Sequence, residues 1–187
     1  MDDTEQVVLV DDNNNVLGTA PKLETHNANT PLHRGFSVFL FDHQGNLLLQ
    51  QRSKLKKTFP LVWSNSCCGH PKLNETNVDA ARRHLRNELG INNIEVFEII
   101  SNYRYKVKMN KIFENEICPV LVCFTDQKPV LNKTEVEEVR WITWNNFLNE
   151  IENGNKDYSL WSREEAPLLA KNTDFQKLFD DNTRSHL

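Results

Sequence analysis

The pattern of hydrophobic and polar residues predicts strands in some segments and helices in others, and therefore a mixed fold. Near the N-terminus, VVLVD (7–11) and VLGTA (16–20) flank the turn residues DNNN, and FSVFLFD (36–42) and LLLQQRS (47–53) flank HQGN. Each arrangement is typical of a β-hairpin. Residues 21–33, between the two hairpins, are interrupted by Asn, Thr and Pro, so we expect a loop there.

A helical period appears further along the chain. TNVDAARRHLRNELG (76–90) has polar starting residues, an amphipathic interior and a closing glycine, which together predict a helix. YRYKVKM (103–109), ENEICPVLVCF (114–124) and EVRWITW (138–144) favour strands, and helical patterns return in NNFLNEIENG (145–154), REEAPLLAKN (163–172) and FQKLFDD (175–181). The expected fold class is α/β of the α+β type, with a mixed β-sheet sandwiched between helices, an N-terminal hairpin and a C-terminal helical extension.

Composition and charge narrow the classes of function. At 187 residues the chain suits one domain, and 39% apolar with 26% charged residues is ordinary for a soluble globular protein. A net charge of −4 without a basic tail argues against nucleic acid as the main partner. MDDTEQVVLVDD at the start fits neither a secretory signal nor a membrane anchor, and no stretch has the roughly 20 apolar residues that span a bilayer. We therefore expect a cytoplasmic protein without a membrane partner.

The cysteines allow several interpretations. An extracellular type of disulfide framework is not expected in such a chain, and the CxxC pairs of a structural zinc site are missing. A reactive thiol, a metal neighbourhood and plain packing remain open for the four cysteines, which are Cys67, Cys68, Cys118 and Cys123. Packing is the favoured role for Cys118 and Cys123, because buried cysteine behaves as a small hydrophobe. It is also favoured for three aromatic residues, Trp63, Trp141 and Trp144.

NSCCGHP (65–71) and ENEICP (114–119) carry candidate chemistry. If both segments are extended, residues two apart share a face, so Cys68 and His70 point one way and Cys67 points the other. The same rule places Glu114 and Glu116 together, where their charges repel and a cation gives relief.

Two histidines offer partners for that pair of carboxylates. His26 and His33 lie in or beside the Asn- and Pro-containing loop. Imidazoles and carboxylates suit a divalent ion such as Zn²⁺ or Mn²⁺. Spacing alone does not join these residues into one site, and a solvated surface is the alternative for each of them taken alone.

The helix 76–90 lies within a longer motif. Gly69, Glu75, Arg83, Glu88, Gly90 and Ile91 resemble the Nudix box, G-x5-E-x7-R-E-U-x-E-E-x-G-U, where U is a bulky apolar residue. In that family the box forms a loop–helix–loop whose glutamates hold Mg²⁺ on a diphosphate. His84 and Asn87 stand where the box has two further glutamates. The resemblance implies the Nudix fold, whereas the loss of carboxylates weakens the case for a hydrolase.

Further motifs point to one branch of the Nudix proteins. HRGFSVFLFD, WSNSCCGHP, RYKV, ENEICPV and SLW occur in the order and spacing of type 1 isopentenyl diphosphate isomerases, over residues from about Val7 to Trp161. The resemblance implies an enzyme of isoprenoid biosynthesis that interconverts isopentenyl and dimethylallyl diphosphate. It also implies one divalent metal (Mn²⁺, Zn²⁺ or Mg²⁺) held by five ligands, which are His26, His33, His70, Glu114 and Glu116.

The same resemblance implies the remaining roles. Cys68 matches the catalytic cysteine, Glu116 is both ligand and acid/base group, Tyr105 assists it, and Trp161 lies against the reacting carbons. A second ion, Mg²⁺, arrives with the diphosphate and is held with the help of Glu88. The diphosphate oxygens are clamped by basic residues, namely Lys22, Arg52 and Lys56. A further family arginine aligns with His84, where neighbouring Arg83 is the candidate substitute.

The resemblance also bounds the domain and leaves two rival functions. We expect one Nudix-type domain over residues 1–187, with a core at about 33–165, an N-terminal extension at 1–32 and C-terminal helices at 145–187. A monomer that binds a small isoprenoid diphosphate is expected. The rivals are a Nudix pyrophosphohydrolase and a degenerate Nudix domain that only binds a ligand.

Overall fold

The computed structural model describes residues 5–109 and 112–183, which form two β-sheets and five helices. The strands are β1 (Gln6–Val10), β2 (Val16–Pro21), β3 (His33–Arg34), β4 (Phe36–Phe41), β5 (Asn46–Arg52), β6 (Trp63–Ser64), β7 (Cys67–Gly69), β8 (Val96–Ile100), β9 (Arg104–Met109), β10 (Ile112–Ile117), β11 (Val120–Phe124) and β12 (Val136–Thr143). The helices are α1 (Lys22–Thr25), α2 (Asn77–Leu89), α3 (Trp144–Glu152), α4 (Leu160–Lys171) and α5 (Thr173–Thr183).

The first sheet has the strand order β2-β1-β3-β10-β9. Strand β10 runs parallel to β3 and antiparallel to β9, with Glu116 opposite His33 on one side and opposite Tyr105 on the other. Since paired residues lie about 5 Å apart and their side chains share a face, this register brings an imidazole, a carboxylate and a phenol together.

The second sheet has the order β12-β5-β4-β11-β8, with β6 paired to β5 and β7 paired to β4. The short strand β7 is antiparallel to β4, and Cys68 lies opposite Ser37. Apolar clusters cover both faces of this sheet, one including residues of α2 and the other residues of the C-terminal helices α3 to α5. The thiol of Cys67 packs into the α2 cluster, whereas Cys68 packs against the other, so the predicted division between the two faces is confirmed.

Most of the predicted elements are confirmed, including both N-terminal strands and the helix after the cysteine motif. Helix α2 begins after Thr76, whose side chain accepts a hydrogen bond from the Asp79 amide, and ends at Gly90, which has φ 68°. The N-cap side chain satisfies an amide that the helix leaves unpaired, and glycine adopts a positive φ with little strain. Sequence signals at both ends therefore place this helix.

Three expectations differ from the structure. ENEICPVLVCF is two strands, β10 and β11, in different sheets, because the chain leaves the first sheet at Cys118 and Pro119. The expected loop 21–33 contains one helical turn, α1. Trp144 is buried, but Trp141 is 39% exposed on the edge strand β12, so its assignment to the core is wrong.

No helix in the described part of the chain is both long and apolar enough to cross a bilayer. The outermost residues of the predicted domain, 1–4 and 184–187, lie outside the described residues.

Candidate active site

Three histidines converge beside β10. His26 follows α1, His33 lies on β3 and His70 follows β7, and their ring centroids are 5.0 to 5.5 Å apart. One donor atom from each of these rings and one oxygen of Glu116 lie within 4.8 Å of one another. Glu114 joins the cluster through His26, whose Nε2 is 2.8 Å from Glu114 Oε2. The five predicted ligands are therefore neighbours in space, although 90 residues of sequence separate the first from the last.

Backbone carbonyls fix the orientation of two of these rings. His26 Nδ1 is 2.7 Å from the Lys22 carbonyl, and His33 Nδ1 is 2.9 Å from the Pro31 carbonyl. A carbonyl only accepts a hydrogen bond, so each Nδ1 carries the proton and each Nε2 faces the carboxylates. Metal-binding imidazoles in proteins are commonly held by such a contact on the other nitrogen.

Burial sets the protonation of the cluster. Burial lowers the pKa of His70 to about 3, so its ring is neutral and donates to Glu116 Oε1 over 3.0 Å. Burial alone would raise the pKa of Glu116, but the imidazoles of His33 and His70 outweigh it and hold that pKa well below its usual value. His33 Nε2 and His70 Nδ1 are buried without a hydrogen-bond partner among the described residues. A neutral His70 ring, and buried imidazole nitrogen atoms without partners beside an ionised carboxylate, are suited to binding a cation.

The proposed reacting groups line one narrow cavity that also contains residues of the histidine cluster. Cys68, Tyr105, Glu116 and Trp161 all contribute to its wall. The Tyr105 hydroxyl donates to Glu116 Oε2 at 3.0 Å, and the rings of Tyr105 and Trp161 are 5.7 Å apart. Trp161 is 3% exposed. The cavity thus presents a thiol, a carboxylate and an indole in a site with little access to water.

Asn65 holds the thiol and the indole in place. Its Oδ1 accepts hydrogen bonds from Cys68 Sγ at 3.2 Å and from Trp161 Nε1 at 3.1 Å, and Ser64 Oγ accepts a second bond from the indole at 2.9 Å. Burial raises the pKa of Cys68 to about 12. The thiol therefore retains its proton and can act as an acid.

The predicted basic residues also lie together. A pocket next to the histidines is lined by Lys22, Arg52 and Lys56. Lys22 Nζ is 2.8 Å from Glu5, and Lys56 forms an ion pair with Glu135. Motif analysis did not identify these two glutamates, which form ion pairs with the lysines in the structure.

Arg52 and Arg83 both donate hydrogen bonds to other groups of the protein. Arg52 donates to the carbonyls of Thr58 and Phe59, and its guanidinium carbon lies 6.0 Å from the centre of the Trp161 ring. Arg83 donates to both carboxylate oxygens of Glu75, at 2.9 and 2.7 Å. Arg83 therefore braces the start of the Nudix-box helix.

Glu88 is buried next to His84, and the positive charges of Lys56 and Arg52 act on its carboxylate. Burial alone would raise its pKa, but the hydrogen bond from His84 Nδ1 (2.8 Å) and the charges of Lys56 and Arg52 lower that pKa to about 2. Cys67, His84 and Glu88 also bring one donor atom each within 4.8 Å. The ionised carboxylate of Glu88, which the charges of Lys56 and Arg52 influence, is a group that can hold a cation.

Gly35 is a residue of the site that pattern analysis missed. A Cβ built on Gly35 would lie 2.2 Å from Glu116 Oε2, so the absence of a side chain leaves the space in which the carboxylate sits. The sequence signal is a glycine between β3 and β4, which a strand pattern does not require. We conclude that Gly35 shapes the position of Glu116.

Gly35→Ala is expected to lower turnover by roughly 10²-fold with little change in melting temperature. The displaced atoms are the end of a flexible side chain, so the fold can adjust, but a shift of about 1 Å is costly if Glu116 has the acid/base role expected from the resemblance. Steady-state kinetics and thermal unfolding of the variant test this expectation. Unchanged turnover would show that Glu116 tolerates the displacement.

Comparison with solved structures identifies the fold. A Deinococcus radiodurans protein is similar with a TM-score of 0.67 and 21% identity, over 90% of this chain and 99% of that protein. The MutT protein of Methanosarcina mazei Go1 is similar with a TM-score of 0.58 and 18% identity, over 81% of this chain and 94% of the other. The NUDIX domain pattern matches residues 31–162.

Comparison with curated sequences narrows the family. The isopentenyl-diphosphate Delta-isomerase of Saccharopolyspora erythraea is 40% identical over 89% of this chain and 87% of the relative. The enzyme of that name from Enterobacter sp. (strain 638) is 35% identical over 97% of this chain and 98% of the relative. The chain belongs to the Nudix superfamily and, within it, to the isopentenyl-diphosphate Delta-isomerase family. The predicted fold, family and enzymatic nature are confirmed.

Proposed function

We propose that the protein interconverts isopentenyl diphosphate and dimethylallyl diphosphate, the reaction for which its relatives are named. The observation that carries this proposal is the cavity in which the Cys68 thiol and the Tyr105–Glu116 pair are next to the Trp161 indole. A carbon–carbon double bond moves when one carbon gains a proton and another loses one. The cavity contains an acid and a base for these two transfers.

The reaction explains why the site is buried. An alkene is a weak base, and adding a proton gives a tertiary carbocation that water would capture. A closed site excludes that side reaction. An indole face stabilises a cation by about 0.5–2 kcal/mol, and more where water is absent. Trp161 is our candidate for this role, and its two hydrogen bonds at Nε1 hold its ring in position.

The protonation states suggest which group acts first. Cys68 carries a proton and Glu116 is ionised. We infer that, starting from isopentenyl diphosphate, Cys68 donates a proton to the terminal carbon of the double bond and Glu116 accepts the proton lost from the neighbouring methylene. Tyr105 would keep the receiving carboxylate aligned through its hydrogen bond to Oε2.

The residues of the histidine cluster fit a divalent metal ion. Their N and O donors, with two buried nitrogen atoms that lack partners among the described residues, are those that Mn²⁺, Zn²⁺ or Mg²⁺ sites use. The ion would be held by His26, His33, His70, Glu114 and Glu116. When bound, it would orient Glu116 and tune the acidity of that carboxyl group.

The basic pocket fits the diphosphate. We propose that Lys22, Arg52 and Lys56 bind its oxygens through charge-assisted hydrogen bonds, and that Glu88 helps hold the Mg²⁺ that accompanies it. Glu5 and Glu135 then have to release the two lysines to the substrate. Anchoring the charged end positions the small hydrocarbon end between the reacting groups.

We also propose a monomer in the cytoplasm. All four cysteines, which lie within the described residues, are free thiols, as expected in a reducing compartment. Gel filtration of the purified protein tests the oligomeric state.

Incubation of the protein with isopentenyl diphosphate and Mg²⁺ in D₂O, followed by NMR, tests the function. Appearance of dimethylallyl diphosphate that contains deuterium supports the isomerase. Release of phosphate would support the pyrophosphohydrolase instead, and an unchanged substrate that binds without reacting would support a binding domain.

A further inference from the structure

Two carboxylates line the basic pocket together with its cations. They are Glu5, which precedes β1, and Glu135, which precedes β12. The cationic side chains that line the same pocket are Lys22, Arg52, Lys56 and Lys57. A pocket that suits the diphosphate therefore contains two anions of its own, and their charges cancel part of the attraction that a ligand would feel there.

Each of these carboxylates is paired with a lysine to which diphosphate binding is assigned above. Lys22 Nζ lies 2.8 Å from Glu5 Oε2, and Lys56 Nζ forms an ion pair with Glu135 Oε2. An ammonium group has three N–H donors, but a carboxylate on one of them repels a phosphate oxygen that approaches another. Each glutamate therefore competes with an incoming anion for the charge of its lysine.

Backbone hydrogen bonds hold each glutamate beside its lysine. The Lys22 amide donates to the Glu5 carbonyl at 2.8 Å. On the other side, the Ser53 amide donates to the Glu135 carbonyl at 3.0 Å, and the Lys56 amide donates to the Ser53 carbonyl at 3.1 Å. Because the segments are already in contact, closing the ion pairs orders only the side chains. The pairs can therefore form again whenever the ligand leaves.

Partial exposure allows both pairs to open. The side chains of Glu5 and Glu135 are 33% and 26% exposed, so a carboxylate that turns away from its lysine reaches water. Opening the pair does not leave an unpaired charge in the interior, which would be costly. Ion pairs with this degree of exposure contribute little stability, so they are readily exchanged for charge-assisted bonds to a phosphate group.

The proposed reaction gives these carboxylates a purpose. Substrate and product have the same diphosphate, so bonds from the lysines hold both equally and favour neither. Lysines without partners would retain the product as firmly as they bind the substrate. We propose that Glu5 and Glu135 are internal counter-ions, which replace the diphosphate on Lys22 and Lys56, weaken its binding and thereby speed the exchange of product for substrate. This inference rests on the proposed function.

Glu5→Gln and Glu135→Gln test the counter-ions by a gain of affinity. Glutamine keeps the size of the side chain but removes the charge that competes with the ligand. Calorimetric titration of the full chain with inorganic diphosphate and Mg²⁺ should show that each variant binds about fivefold or more tightly than the parent. The two gains should multiply in the double variant, because the two pairs use different lysines. Damage to the fold would weaken binding instead.

Glu137→Gln is the matched control. Glu137 lies two residues after Glu135 and pairs with Lys54 at 3.2 Å, and neither of these two residues lines the pocket. The substitution removes the same charge from the same part of the chain, so diphosphate affinity should stay within about twofold of the parent. Equal gains in Glu137→Gln and Glu135→Gln would reduce the effect to overall charge and overturn the counter-ion role.

Steady-state kinetics keep the two proposals distinguishable. In both pocket variants the KM for isopentenyl diphosphate should fall with the dissociation constant of diphosphate, while kcat should not rise, because release of the product becomes slower. Diphosphate affinity that is unchanged or weaker in both variants overturns the counter-ions, even if the parent isomerises its substrate. Tighter binding in variants of a parent that forms no dimethylallyl diphosphate contradicts the isomerase and leaves the counter-ions in place.

Discussion

Cys68→Ala is expected to abolish turnover, with a loss of roughly 10³-fold or more and no loss of fold. Removing the thiol removes the proposed proton donor, and general acid catalysis contributes about 10²- to 10⁴-fold. A 10³-fold loss corresponds to about 4 kcal/mol of transition-state stabilisation. The side chain lines the cavity, so its deletion should leave room for water, which would not restore an acid of matched position. Turnover in the NMR assay and the melting temperature are the measurements.

Cys67→Ala is the matched control for this prediction. The two cysteines are adjacent, but Cys67 packs fully buried in the cluster with α2, away from the cavity. Its replacement should cost about 1 kcal/mol of stability and leave turnover within about twofold of the parent. Equal loss of turnover in both variants would contradict the assignment of Cys68 as the acid.

The separation of these two cysteines shows what a sequence pattern can predict. In an extended segment neighbouring side chains point to opposite faces, so the parity argument assigns Cys68 and His70 to one face without any tertiary information. The structure places Cys68 and His70 in one cavity and Cys67 in the apolar cluster. The same local logic succeeded for α2, where the cap residues Thr76 and Gly90 define the ends.

Contacts between distant segments were beyond that logic. Spacing could not join His33 to Glu116, because these residues meet only through the pairing of β3 with β10, and the family resemblance alone connected them in the sequence. The prediction that Trp141 lies in the core was wrong, because an alternating pattern predicts a strand but does not show that the strand lies at the edge of its sheet.

Glu5 and Glu135 illustrate a further limit of the resemblance. Motif positions pointed to the basic residues for which we propose diphosphate binding, but not to the carboxylates that pair with Lys22 and Lys56. These ion pairs follow from the approach of β1 and of the loop before β12, which have no fixed spacing from the lysines. The motifs of a site therefore do not predict the carboxylates that compete with a ligand for its basic residues.

Glu116→Gln is expected to lower turnover by roughly 10³-fold or more and to weaken metal binding. Glutamine has nearly the same shape but cannot carry the negative charge or accept and return a proton. The variant should contain less tightly bound metal and gain less thermal stability from added Mn²⁺ or Zn²⁺, because a ligand that binds only the folded state raises its stability. Metal analysis, thermal unfolding and turnover measure the three effects.

Glu114→Gln separates the two functions proposed for Glu116. Glu114 contacts His26, whereas Glu116 also contacts Tyr105, so we propose the combination of metal binding and proton transfer for Glu116 alone. Excess metal should restore much of the turnover of Glu114→Gln and little of that of Glu116→Gln, while the exposed control Glu138→Gln should match the parent. If excess metal restores both variants equally, Glu116 is a ligand alone and the base lies elsewhere. The carboxylate that binds the metal would then be distinct from the group that receives the proton, and Cys68 would need another partner across the cavity.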